Sequence, residues 1–205
     1  MKRYVPALLL LAAFLVCTAV VGLGWAAPLD RAVDASVAAH RIARLTHFAL
    51  SVTVLGNPSM VTLTVVIALF LAIAAGHSRL ALPIVASPIA AFLTGNLMKD
   101  LLRHPRPPDP VIPDPASYGF PSGHAATAAA TWLTLALLAM RFESRPAARK
   151  ALLCCGAAVA VLVGWSRIYI GVHYFSDVIG GWLLGTLWSL LLVDGQDVVT
   201  GMSKG

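Results

Sequence analysis

The chain has 205 residues, of which 59% are apolar and only 12% are charged, and its mean hydropathy is +0.82. Soluble domains carry about 25% charged residues, so this composition excludes a soluble enzyme with a charged surface, and the apolar content excludes a disordered chain. The formal charge of +6 comes from basic residues in short segments between apolar runs, where they set topology and meet anionic lipid, so we predict no nucleic-acid partner.

Six apolar runs predict an all-α, polytopic membrane protein with six transmembrane helices in a bundle, forming one membrane domain over residues 1–205. Each run approaches the roughly 17–25 residues that cross a hydrocarbon core. Backbone groups in lipid must bond internally, which favours helices over open sheet. The first run is longer than the apolar part of a signal peptide, so we expect a retained helix. The predicted helices span residues 6–27, 58–75, 80–98, 124–140, 151–166 and 177–193.

Basic residues in short loops orient a membrane protein, because cytoplasmic segments carry the excess of Lys and Arg. The segment 141–150 holds four basic residues in ten positions and is the strongest local anchor. We therefore predict a multi-pass protein with both termini in the cytoplasm, where Lys2, Arg3 and Lys204 would lie.

This topology gives two long outer loops of different composition. Residues 28–57 alternate apolar positions with charged ones such as Asp30 and Asp34, which is typical of an amphipathic helix lying along the interface. Residues 99–123 are rich in proline, which excludes a helix there and favours a stiff segment. The three cysteines lie inside apolar runs, so we predict neither a disulfide nor a zinc site.

Three polar clusters lie at the outer ends of the predicted helices. The first ends the third helix, the second begins the fourth, and the third joins the fifth to the sixth. Because charge near a membrane is costly, clusters that meet at one depth indicate a functional site. The clusters are residues 99–107, 121–124 and 166–177.

The residue types in these clusters favour phosphate binding. Lys99, Arg106 and Arg167 are three cations with no run of carboxylates to neutralise them. The guanidinium fork fits phosphate oxygens, and the ammonium group supplies a point charge. Ser122 and Gly123 precede the fourth helix, so their backbone N–H groups can face an anion at a positive helix end.

Two histidines in the same clusters favour phosphate chemistry. His173 and Asp177 are four residues apart, so they share one face if the segment is helical. A carboxylate bonded to one ring nitrogen leaves the lone pair of the other free, which suits His173 as a nucleophile. His124 is the remaining titratable group and could protonate the leaving oxygen and then activate water. The predicted route is a covalent phosphohistidine formed in line.

The order and spacing of these residues resemble the type 2 phosphatidic acid phosphatase family. Its signature has three parts: K-x6-R-P, then P-S-G-H, then S-R-x5-H-x3-D. This sequence is similar at every signature position: Lys99, Arg106, Pro107, Pro121, Ser122, Gly123, His124, Ser166, Arg167, His173 and Asp177. His104 lies inside the first part but at no signature position, so we predict no catalytic role for it.

The resemblance implies a metal-independent, cofactor-free lipid phosphatase in a bacterial inner membrane, with its site on the periplasmic side. It also implies the roles given above for His173, His124 and Asp177. The expected partners are membrane lipids and a lipid phosphate substrate, with undecaprenyl diphosphate ranked before phosphatidylglycerophosphate and phosphatidate. A phosphotransferase acting on another lipid such as lipid A, and an anion channel or transporter, remain alternatives. A G-x-x-x-G pair at Gly181 and Gly185 indicates close helix packing within one subunit or between two, which leaves a homodimer open.

Overall fold

The computed structural model describes residues 4–113 and 117–199, so Lys2, Arg3 and Lys204 lie outside the described residues. The described chain is all-helical and contains no strand, which confirms the predicted fold class. Its eight α-helices are α1 (Val5–Gly22), α2 (Ala27–Ala39), α3 (Ala43–Thr53), α4 (Pro58–Ala74), α5 (Ala81–Leu102), α6 (Gly123–Ala139), α7 (Pro146–Tyr169) and α8 (Phe175–Val199).

Five helical segments are long and apolar enough to cross a membrane, or six if a bent pair counts as one span. The pair joins Ala43–Gly56 to Pro58–Ala74 at an angle of 49°. The five segments are Val5–Gly22, Ser78–Leu102, Gly123–Phe142, Pro146–Tyr169 and Phe175–Gly195. The polytopic architecture that the apolar runs predict is therefore present.

The helix ends differ from the apolar runs in ways that local chemistry explains. The run 6–27 contains a break, because α1 ends at Gly22 and the chain turns at Gly24 with a positive φ of 74°. The predicted helix 80–98 ends too early, because α5 continues through the polar residues to Leu102. The segment 151–166 is also too short, since α7 begins at Pro146, and proline at the first turn of a helix loses no hydrogen bond.

The segment predicted as the outer loop 28–57 is mostly helical and consists of α2 and α3. The sequence predicts one amphipathic helix here, but a break at residues 40–42 divides it in two. Arg41 holds this break against the end of α7, where its Nε–H donates to the Tyr169 carbonyl (3.0 Å). The Tyr169 hydroxyl in turn accepts from the Ile42 N–H (2.9 Å).

Helix α6 lies at the centre of the bundle and contacts α4, α5, α7 and α8. Its buried face consists mainly of alanine and threonine, which lets neighbouring backbones approach closely. Gly181 and Gly185 of α8 pack against this face, so the G-x-x-x-G pair serves close packing within the chain. This packing brings the start of α8 to the start of α6.

All three polar clusters lie at one end of the bundle. Helices α5 and α7 end there and α6 and α8 begin there, as their chain order requires. The opposite end of α6 and α7 carries basic residues of the segment 141–150. The bundle therefore has one end with the signature residues and one with the predicted cytoplasmic anchor.

Candidate active site

Backbone carbonyls of the proline-rich loop hold the first two predicted cations. Lys99 is buried in the last turns of α5, and its ammonium group donates to the Tyr118 carbonyl (2.7 Å) and the Gly119 carbonyl (3.4 Å). Arg106 donates from Nε to the Ser117 carbonyl (2.7 Å). These hydrogen bonds fix the loop between α5 and α6 to Lys99 and Arg106 of the first cluster.

Arg106 also joins the first cluster to the third. Its Nη1 group donates to the Val172 carbonyl and to His173 Nε2, the latter at 3.1 Å. A guanidinium group is always a donor, so Nε2 of His173 must be the nitrogen that carries the lone pair. The nitrogen expected to act as the nucleophile therefore faces a cation.

The other nitrogen of His173 faces a buried carboxylate. Nδ1 lies 3.3 Å from Asp177 Oδ2, and the Tyr174 N–H donates to the same oxygen (3.0 Å). Asp177 is fully buried in the first turn of α8, and His173 is only 3% exposed. The predicted i,i+4 pair therefore forms, although His173 itself lies in the loop before the helix.

The surroundings of His173 keep its ring neutral. Burial lowers the pKa of His173 to about 3, and Arg106 and Lys99 act in the same direction. Asp177 opposes this shift through its hydrogen bond and its charge, but burial is the larger effect. A neutral imidazole at physiological pH is the form in which Nε2 can act as a nucleophile.

The second cluster forms the start of α6. Ser122 precedes the helix in an extended conformation, and its N–H donates to the Asp177 carbonyl (2.9 Å), which ties the second cluster to the third. The Ser122 hydroxyl is buried and has no hydrogen-bond partner among the described residues. Gly123 and His124 follow as the first helical residues, whose N–H groups have no partner within a helix.

Arg167 lies in the last turn of α7 and is 4% exposed. Its Nη1 donates to the Thr53 hydroxyl at the end of α3 (2.9 Å), whereas its buried Nε has no partner among the described residues. A buried guanidinium nitrogen and a buried hydroxyl without protein partners are donors that could bind an anion.

A cavity of about 120 Å³ joins the first cluster to the second. Lys99 of α5 and the Gly123–His124 turn of α6 line it together, with Gly56 and Asn96 nearby. An apolar groove of about 310 Å³ continues from this cavity between α4 and α5. The two spaces share Pro58, Phe92 and Thr127, so a single molecule could occupy both.

Three contributors to this region lie outside the predicted set. His104 donates from Nδ1 to Asp177 Oδ1 at 3.0 Å. Thr53 holds Arg167, and the buried Asp30 of α2 accepts from the N–H (2.9 Å) and hydroxyl (2.6 Å) of Ser176. Only His104 gave a signal in the sequence, because it is a histidine inside the first cluster.

No group of three or more His, Cys, Asp or Glu side chains within the described ranges comes together as a metal-binding set. Cys17, Cys154 and Cys155 are free thiols. The side chains that meet at the site are cations, histidines and one carboxylate shared between two imidazole rings. Such a donor set is suited to binding an anion rather than a divalent cation.

The fold and the cluster together define a polytopic helical membrane protein that gathers basic and histidine side chains at one end of its bundle. The sequence model of the PAP2 superfamily matches residues 80–198, which is more than half of the chain. The chain belongs to the PAP2 superfamily.

Individual relatives are similar over about half of their length. An undecaprenyl-diphosphatase of Sulfolobus acidocaldarius is 34% identical over 121 residues, which cover 56% of this chain and 54% of the relative. Phosphatidylglycerophosphatase B of Bacillus subtilis is 35% identical over 108 residues, covering 51% and 52%. The chain thus spans about half the length of the curated relatives it matches.

A solved structure extends the likeness over nearly the whole fold. It is the crystal structure of a transmembrane PAP2-type phosphatidylglycerolphosphate phosphatase from Bacillus subtilis. The TM-score is 0.86 at 26% sequence identity, and the alignment covers 94% of this chain and 96% of that one.

Proposed function

We propose that the protein is a metal-independent lipid phosphatase that works through a phosphohistidine. The observation that carries this proposal is the continuity of an apolar groove with a cavity lined by Lys99 and His124. A lipid phosphate fits both spaces, because its hydrocarbon chain matches the apolar groove and its phosphate matches the cavity lined by Lys99 and His124. Membership of the PAP2 superfamily and relatives that are named as lipid phosphatases support it.

In the first step, Nε2 of His173 attacks phosphorus and the bond to the leaving oxygen breaks. Asp177 accepts a hydrogen bond from the Nδ1–H of His173, which stays on the ring, and stabilises the positive charge that the ring gains. His124 gives its proton to the leaving oxygen. Lys99, Arg106 and Arg167 hold the equatorial oxygens, together with the N–H groups at the start of α6.

In the second step, water attacks the phosphohistidine. His124, now neutral, takes a proton from the water, and the bond between phosphorus and Nε2 breaks with its electron pair returning to His173. The products are inorganic phosphate and the lipid alcohol, or the lipid monophosphate when the substrate is a diphosphate. A lipid acceptor in place of water would make the same site a phosphotransferase.

The groove supports a substrate with a hydrocarbon chain. Val61, Val65, Ile89 and Phe92 line a groove on the flank of α4 and α5, and its lining is almost wholly apolar. We rank undecaprenyl diphosphate first, then phosphatidylglycerophosphate and phosphatidate. Both of the first two lipids occur in the names of relatives.

We also propose that the site faces the periplasm and that both termini are cytoplasmic. The signature residues lie at one end of the bundle, and the basic segment 141–150 lies at the other. The excess of Lys and Arg on cytoplasmic loops supports this orientation. Accessibility of a cysteine introduced at exposed Asp109 to an impermeant thiol reagent on intact spheroplasts tests it, with protection indicating the opposite orientation.

The first test measures phosphate release by the purified protein in detergent with excess EDTA. The lipids are undecaprenyl diphosphate, phosphatidylglycerophosphate and phosphatidate, and the variants are His173→Ala and, as a control, exposed His47→Ala on α3. We expect release that survives EDTA, disappears in His173→Ala and persists in His47→Ala. Loss of release in EDTA would contradict metal independence, and release only with an added acceptor lipid would indicate phosphotransfer.

The second test separates the apolar groove from the cationic cavity. Val65→Trp fills the groove, whereas Val159→Trp fills a separate groove of about 270 Å³ between α6 and α7 and serves as the matched control. Excluding only two methylenes costs about 1.6 kcal/mol, or about 15-fold in affinity. We expect KM to rise for a long-chain lipid phosphate in Val65→Trp but not for a short-chain one. Equal effects of both variants would contradict the role of the groove.

A further inference from the structure

The Asp177 carboxylate lies between two histidine rings, and the proposed reaction uses only one of them. His173 Nδ1 lies 3.3 Å from Oδ2, and His104 Nδ1 lies 3.0 Å from Oδ1. The Tyr174 N–H is a further donor, again to Oδ2 (3.0 Å). Both carboxylate oxygens therefore have defined partners, and His104 is the side chain that holds Oδ1.

His104 is placed for this contact by the turn that ends α5. Arg103 adopts a left-handed conformation with a φ of 49°, which is uncommon outside glycine and asparagine. Its N–H still donates to the Lys99 carbonyl (2.9 Å), so the helix ends there and the chain changes direction. The His104 carbonyl then accepts from the Gly119 N–H (2.8 Å), which fixes the backbone on both sides of the ring.

The His104 ring is half-enclosed by the third cluster. Its side chain is 16% exposed, and its ring lies edge-on to Tyr174 with 5.7 Å between the centroids. The opposite side of Asp177 is closed by His173, which is almost completely buried. The donors of His173 and Tyr174 both hold Oδ2, so they alone would leave Oδ1 able to turn about the terminal bond, whereas a partner on each oxygen fixes the plane of the carboxylate.

We propose that His104 is a positioning residue for the nucleophile, acting through Asp177. This inference rests on the phosphatase function proposed above. With a proton on Nδ1, the His104 ring donates to Oδ1 and keeps Oδ2 aimed at Nδ1 of His173. The carboxylate then stays in place when His173 gains positive charge in the phosphohistidine.

The expected effect falls on turnover rather than on binding, because His104 contacts the carboxylate and not the phosphate. In metalloenzymes, the hydrogen-bond partners that orient a functional histidine contribute about 10- to 100-fold to activity. We expect the same order here for kcat, with little change in KM. An interaction that matters mainly in the transition state gives this pattern.

The test compares two variants of nearly equal shape. His104→Asn keeps an N–H donor close to the position of Nδ1, whereas His104→Leu removes it. We expect His104→Leu to lower kcat about 10-fold or more and His104→Asn to restore most of the loss, with similar Tm values for the two variants. His47→Leu, on the exposed side of α3, is the control and should match the wild type.

A second readout does not depend on turnover. Proton-detected 15N NMR of histidine-labelled protein reports the hydrogen bond at Nδ1 of His173, which should change in His104→Leu and persist in His104→Asn. A wild-type kcat and an unchanged His173 signal in His104→Leu would overturn the inference. If wild-type protein releases no phosphate from any lipid, the phosphatase proposal fails, and the NMR comparison still decides whether His104 orients His173.

Discussion

Replacing Gly181 with alanine should separate α8 from α6 and disturb the site without touching any catalytic group. Gly181 lies nearly two turns into α8, where the helix passes directly over the start of α6. A Cβ at this position would lie 2.7 Å from the Ser122 carbonyl oxygen and 2.9 Å from the Ala125 Cβ. The Ser122 oxygen belongs to the backbone and the Ala125 Cβ is a rigid methyl group, so neither atom can rotate out of the way.

The size of the effect follows from these distances. An ordinary van der Waals contact begins at 3.4 Å, so the new methyl group and the Ser122 carbonyl must separate by about 0.7 Å. Overpacking of this kind costs about 1–3 kcal/mol, against a gain of about 1 kcal/mol from helix propensity. Ser122 immediately precedes Gly123 and His124, and a misplacement of about 1 Å can cost on the order of 100-fold in rate.

Gly195→Ala is the matched control, because it makes the same change in the same helix where a Cβ would meet nothing within 4 Å. Phosphate release and thermal unfolding in detergent measure the two variants side by side. We expect Gly181→Ala to lower kcat by about 10- to 100-fold and to lower Tm relative to Gly195→Ala. Wild-type kcat and Tm in Gly181→Ala would refute the close approach of α8 to α6 and the role given to it.

Three further predictions concern groups that support the site. Asp30→Ala removes both bonds to Ser176 at the start of α8 and should destabilise the fold by about 1–2 kcal/mol, seen as a lower Tm; an unchanged Tm would contradict this. His173 has a pKa lowered to about 3, so its contribution to stability is complete above its ordinary pKa of 6.5 and is lost as the pH falls from there towards 3. Tm should therefore fall more steeply on acidification in the wild type than in His173→Gln, and equal slopes would count against a neutral buried ring. Thr53→Val removes the hydroxyl that holds Arg167 and should raise KM about 10-fold, whereas Thr53→Ser should not; equal KM values would exclude this contact from substrate binding.

The sequence predicts the membrane helices well because hydrocarbon leaves the backbone no alternative to internal hydrogen bonds. It predicts their ends less well, because a helix continues past the apolar run wherever water or protein replaces lipid. Helix α5 reaches Leu102 for this reason, and α7 begins before its apolar residues at Pro146. The division of 28–57 into two helices depends on contacts of Arg41 and Ile42 with Tyr169, which lies more than 120 residues away.

Prediction of the site from the sequence has the same limit, because contacts between distant residues decide its details. The structure brings His173 to Asp177, as their spacing of four residues predicts, and it also brings Arg106 to His173, which the spacing does not predict. His104 could not be assigned because its partner Asp177 lies 73 positions further along the chain, and only the left-handed turn at Arg103 brings the two together. The apolar groove has no sequence signature either, since it arises from the spacing of helices rather than from any one of them.

The groove and the residues that we propose to react are built from different helices. Helices α4 and α5 supply nearly all of the groove, with Thr127 as the contribution of α6, whereas His173 and Asp177 belong to the loop and helix that follow α7. Natural variation along the lipid-facing sides of α4 and α5 can therefore remodel the fit to a hydrocarbon chain while the reacting atoms stay where they are. Under the proposed function, a bundle arranged in this way allows selection to act on the identity of the lipid separately from the chemistry of the phosphate.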